Sequence, residues 1–165
     1  SRYPDLTSLI TSALQDYDIS KKYFYSAKLK LFEETRKKSL ELIHKQRTLK
    51  TNLEKQGFEF VLAGNVRPQK IKNGKKTTFV FKEKGVDVRI AVDLVTLSCD
   101  NAIDTAILCS SDSDLQPAIA EVRKREVKII YLGFETQPNK GLTYTTNKTV
   151  LFRSHEILKA CAQKK

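Results

Sequence analysis

No apolar run in the 165-residue chain approaches the roughly 20 residues that cross a bilayer. No signal-peptide pattern is visible either, so a membrane partner is not expected and the cytoplasm is the expected location. Methionine and tryptophan are absent. Cysteine is scarce: Cys99, Cys109 and Cys161 lie far apart with no C-x-x-C spacing. Their apolar neighbours make reduced core thiols the expected reading over a disulfide framework. Internal repeats, low-complexity tracts and linkers are missing too, which leaves a single domain over residues 1–165. What is present, 40% hydrophobic and 30% charged residues, excludes a disordered chain. The length is enough to bury roughly 70% of the unfolded surface.

Negative charge is short in one half only. Residues 1–84 hold 19 basic and 9 acidic residues, whereas 85–165 hold 11 and 10. A basic first half beside a nearly neutral second half points to a polyanion held by one part while chemistry proceeds in the other. The bland alternative is lysines that keep a small protein soluble.

Leu6, Leu9, Ile10, Ala13 and Leu14 follow the spacing of an amphipathic helix entered through Pro4. "KYFYSA" (22–27) reads as a strand. The polar stretch 32–56 has no internal Gly or Pro; it carries Leu40, Ile43, Leu49 and Leu53 at helical spacing and is stopped by Gly57. "FEFVLA" (58–63) is the next strand. Asn73-Gly74, between the short runs 66–71 and 77–81, signals a hairpin whose first arm Pro68 demotes to an edge or loop. Arg67, Lys70, Lys72, Lys75, Lys76, Lys82 and Lys84 crowd this segment, either as a solvated hairpin or as a phosphate-gripping arm. "VDVRIAVDLVTLSC" is apolar on most sides and reads as a largely buried helix. A strand at 105–110, a helix from about Asp114, a strand "VKIIYLGF", a weak strand at 150–153 and a helix from His155 complete the chain. Alternating helices and strands with continuous apolar central runs indicate an α/β fold, three layers deep, with a mostly parallel central sheet and a basic β-hairpin insertion.

The segment "CSSDSDL" (109–115) sets two carboxylates at the carboxyl end of a strand, where open α/β sheets bind ligands. Capping of the following helix explains Asp114 and leaves Asp112 without a role. Asp87, in "KEKGVDV", stands at the mouth of the apolar helix. Asp93, about 240° further round that helix, needs a partner if buried, and Arg89 is the nearest. Three carboxylates brought together repel unless protonated, salt-bridged or holding a cation. An all-oxygen set without a His–Cys group favours Mg²⁺ or Mn²⁺ over zinc. His44 and His155 lie in helical segments with no acidic pattern and read as surface or packing residues. Tyr23, Phe24 and Tyr25 alternate on a strand, so at least one is expected in the core, with base stacking as the rival use.

"KEKGVDVRIAVD" followed by "TAILCSSDSDLQPAIAEVRKREVKIIYLGFE" resembles the NYN branch of the PIN-like nucleases, the group that includes the LabA-type proteins. The resemblance implies a Rossmann-like sheet and a carboxylate-bound divalent metal, Mg²⁺ or Mn²⁺, that supports hydrolysis of RNA phosphodiester bonds. By the same resemblance Asp87, Asp112 and Asp114 are the metal-binding and catalytic acids. Asp93, Ser110 and Ser111 would support them. Arg67, Lys70, Lys72, Lys75, Lys76 and Lys84 would hold a single-stranded RNA backbone without reading its sequence. Family members usually open with a hydrophobic strand ending in a pattern like I-D-G-S-N, and "SRYPDLTSLI" matches the helix after it. A first strand with one further aspartate is therefore expected upstream of Ser1, and without it the site would lack an acid. The rival readings are a non-catalytic RNA-binding module and a regulatory interaction domain on the same scaffold. Self-association stays open.

Overall fold

The computed structural model of the chain describes residues 4–74 and 76–162. The chain divides into two compact units: Ile19–Val86, and Asp87–Lys165 joined by Ser1–Asp18. Hydrogen-bonded strands among the described residues form two three-stranded sheets, one in each unit, and three of the four strand pairs are parallel. An apolar run says that a strand is covered on both faces and nothing about its neighbour. The pattern that reads as one central sheet is therefore met by two.

In the Ile19–Val86 unit, β1 (Lys22–Lys28) pairs in parallel with the start of β2 (Phe58–Asn73). The crossover between them is α2 (Arg36–Lys55), preceded by a 3₁₀ turn at Glu33–Thr35. Leu53 is buried on α2, whereas Leu40 is 48% exposed. The Gln46 amide ties α2 to β1 by donating to Ser26 Oγ (2.8 Å) and to the Ala27 carbonyl (2.7 Å). Across the parallel pair, Phe24 stacks on Phe60 with ring centroids 5.5 Å apart, and Tyr23 and Tyr25 pack on each other at 6.3 Å. All three are half-buried, so the core member expected among them is not found. Beyond Asn65, β2 leaves β1 and pairs antiparallel with β3 (Lys76–Lys84) around Gly74. Pro68 falls in that two-stranded stretch, opposite Phe81.

The other unit holds α1 (Leu6–Ala13), α3 (Val86–Cys99, of which Asp87 onward belongs here), β4 (Thr105–Leu108), α4 (Gln116–Arg123), β5 (Lys128–Phe134), α5 (Lys140–Thr145), β6 (Lys148–Phe152) and α6 (Ser154–Ala162). Asp5, directly after Pro4, caps α1, accepting the Ser8 amide at 3.0 Å. The strands run parallel in the order β4-β5-β6. Residues Ile129 to Gly133 of β5 are all buried, as a strand covered on both faces must be. The core joins Leu108, Leu115, Ile119, Val122, Ile129 and Leu142.

Two expectations fail here. Helix α3 is not largely buried: Ile90, Ala91, Leu94 and Val95 pack on the core, while Val88 and Val92 are 60% and 54% exposed. Apolar residues ring this helix, but the core lies against one side of it. Nor are the cysteines core thiols, for all three are free and exposed. Cys99 ends α3 and Cys109 follows the last residue of β4, so each stands at the rim of its element, although partial burial still pushes the Cys109 thiol pKa up. No described helix is long and apolar enough to cross a membrane.

Candidate metal centre

Strand β4 ends at buried Leu108 and hands the chain to Cys109, Ser110 and Ser111. The loop then tightens on itself. Ser110 Oγ accepts the Asp112 amide at 3.1 Å, and Asp112 Oδ1 accepts the Asp114 amide at 2.9 Å. Asp112 thus caps the 3₁₀ turn Ser113–Leu115, reversing the role expected of Asp114. The reason is local: the first helical turn is 3₁₀, which starts the element at Ser113, three residues before α4. Leu115, 1% exposed, anchors the turn in the core.

Asp87 arrives from the first turn of α3. One carboxylate oxygen from each of Asp87, Asp112 and Asp114 lies within 4.8 Å of the other two, with Asp87 and Asp112 half-buried and Asp114 exposed. At that separation, ionised carboxylates repel by about 3 kcal/mol per pair at an effective dielectric of 20, less where Asp114 meets solvent. The positive end of the 14-residue helix α3 offsets part of this. Capping accounts for Asp112 alone. The carboxylates of Asp87 and Asp114 have no partner among the described residues. Three clustered oxygen donors without nitrogen or sulfur fit a hard divalent cation such as Mg²⁺ or Mn²⁺.

The remaining predicted residues divide. Asp93 stands outside the acidic group and pairs with Arg89 at 2.7 Å, the partner the sequence pointed to. Ser110 Oγ is spent on the loop as an acceptor, and Ser111 supports it through its backbone: the Ser111 carbonyl accepts the Asn139 side-chain amide at 2.8 Å. Arg67, Lys70, Lys72 and Lys84 lie on the β2–β3 pair. Lys70 is occupied by Glu34, 2.9 Å away, and by the ring of Phe79, 5.6 Å from its centroid. Lys75 and the side chain of Lys76 lie outside the described residues.

Asn139 went unnoticed in the sequence. Its side-chain oxygen caps α5 by accepting the Leu142 amide (2.9 Å), and its backbone N–H donates to the buried Tyr131 hydroxyl (2.9 Å). One residue therefore links β5, α5 and the acidic loop. The available signal was an asparagine three residues before a buried leucine, on a helix too short to show periodicity. The end of the Gln116 side chain, at the start of α4, occupies the space a Cβ on Gly141 would take. Asn139→Ala is expected to cost about 1 kcal/mol through loss of the cap and to speed amide exchange at Asp112 and Asp114. Native-state hydrogen exchange checks this: unaltered exchange in that loop would show that the tie to Ser111 does not hold it.

The sequence profile of the NYN domain matches residues 2–151. Among solved structures the chain is similar to a protein of unknown function, VPA0982, from Vibrio parahaemolyticus RIMD 2210633. That likeness, one of fold, has a TM-score of 0.58 at 20% identity and covers 92% of this chain and 80% of that one. No curated protein matches.

Proposed function

Because the chain belongs to the NYN domain family, a family of PIN-like nuclease domains, we propose that it hydrolyses RNA phosphodiester bonds at Asp87, Asp112 and Asp114 with a divalent metal held between them. The observation that carries this is the convergence of three carboxylate oxygens within 4.8 Å, two of them from side chains without a protein partner among the described residues. A bound Mg²⁺ or Mn²⁺ supplies Lewis acidity to a phosphoryl oxygen and lowers the pKa of a water. The chain's own part is to hold the donors in place. Asp112 is oriented by its bond to the Asp114 amide, which leaves its second oxygen for a ligand. Asp87 is carried on a helix instead of a loop, so its position follows that of α3. Ser110 accepts from the Asp112 amide and keeps a hydroxyl proton for an outer oxygen. The expected substrate is single-stranded RNA, and the expected compartment is the cytoplasm.

Labelled single-stranded RNA incubated with Mn²⁺, Mg²⁺ or EDTA tests the reading. Products are expected with either metal and none with EDTA. Independently of cleavage, Mn²⁺ at about 100 times its Kd is expected to stabilise the fold by about 2.7 kcal/mol, read as a rise of several degrees in Tm. If neither metal-dependent products nor a thermal shift is found, the three acids do not form a metal site.

A further inference from the structure

The antiparallel pair β2–β3 sorts the basic residues by face, which their crowding in sequence hides. Asn65 faces Lys84, Arg67 faces Lys82 and Gln69 faces Val80. Alternation places Asn65, Arg67, Gln69, Lys82 and Lys84 on one side of the ribbon and Lys70 and Lys72 on the other. A cleft of about 510 Å³ is lined by the five residues of the first side together with Glu83. Arg67 and Lys82 are directly opposed like charges, an arrangement that destabilises a strand pair in isolation. Neither they nor Lys84 has an ion-pair partner among the described residues. Glu83 is the one acid at the cleft, and its carboxylate is engaged by the Val86 amide at 2.9 Å. On the other side Lys70 is paired with Glu34, while Lys72 has no ion-pair partner among the described residues.

We infer that the Asn65–Arg67–Gln69–Lys82–Lys84 side of the ribbon is a binding site for the sugar–phosphate backbone of a single RNA strand. This rests on the nucleic-acid part of the proposed function and not on cleavage. Three cations that lack acids complement successive phosphates, and the Arg67 guanidinium can take one in bidentate fashion. The amides of Asn65 and Gln69, placed beside those cations, offer paired donor and acceptor groups to a ribose 2′-hydroxyl, the group that separates RNA from DNA. Exposed Ile71 and Val80 continue the same side toward the turn and fit bases better than phosphates. Lys70 and Lys72 are not part of the site.

Fluorescence anisotropy of labelled single-stranded RNA, measured in EDTA across a salt series, tests this without any turnover. The combined variant Arg67→Gln, Lys82→Gln, Lys84→Gln is expected to weaken binding at least 30-fold. It should also flatten the slope of log K against log salt by about 2, from about 0.7 per phosphate contact. Lys82→Gln alone should remove about 0.7 of that slope. The paired variant Lys70→Gln, Lys72→Gln should stay within about 3-fold of the wild type. Asn65→Ala with Gln69→Ala should narrow the preference for RNA over a DNA strand of the same sequence. Equal weakening by the two lysine-side variants, an unchanged slope, or equal wild-type affinity for the two strands would overturn the assignment. Absent cleavage with intact binding would instead count against the metal centre alone.

Discussion

Asp114→Asn is expected to lower metal-dependent RNA cleavage by roughly 10²-fold or more, the equivalent of about 3 kcal/mol in the barrier. In EDTA its Tm should equal or exceed that of the wild type. The two outcomes have opposite signs for one reason. The Asp114 carboxylate has no protein partner among the described residues and adds repulsion to Asp87 and Asp112, so neutralising it relieves the apo fold while removing a donor from the ion. Asp112 separates its two roles by the choice of replacement. Asn at 112 keeps an oxygen for the Asp114 amide and should retain stability while losing cleavage. Ala should lose cleavage and about 1 kcal/mol of stability together. Single-turnover rates and urea melts on the three variants decide the matter. A fall in stability for Asp114→Asn without a fall in rate would mean that the acids support the loop and nothing more.

Gly64→Ala should be the most damaging single-methyl addition in the Ile19–Val86 unit, costing about 2–4 kcal/mol. Gly64 has φ +63°, and a Cβ on it would press on the Lys84 carbonyl and on the backbone at Gly85 and Val86. It sits where β2 leaves β1, beside the register shift between Ser26 and Lys28, and starts its run with β3. The contact is backbone on backbone, so no flexible side chain can yield. Equilibrium urea denaturation reads the cost, and a loss under 1 kcal/mol would show that the strands separate freely there. The same variant should weaken RNA binding, because Lys84 and Asn65 flank the strained residue.

Much of this molecule is legible without coordinates. The helical spacing of Leu6, Leu9 and Ile10, the stop at Gly57, the turn at Asn73-Gly74 and the apolar run of β5 each express a local rule. Each appears within a few residues of its expected place. The meeting of the three acids was legible for a similar reason: two carboxylates in the loop beyond a strand's carboxyl end have few structural uses. The misses share a cause as well. The burial of α3, the surroundings of the cysteines, the division of the strands between two sheets and the role of Asn139 all depend on what lies across space.

The order of helices and strands, the basic first half and the candidacy of the three acids are thus properties of the sequence itself, because periodicity, turn chemistry and charge act over a few residues. Which basic residues already have an acidic partner and which share a cleft were decided only by tertiary packing. Strand pairing alternates side chains between two faces, and an ion pair such as Lys70 with Glu34 joins residues that no local pattern connects.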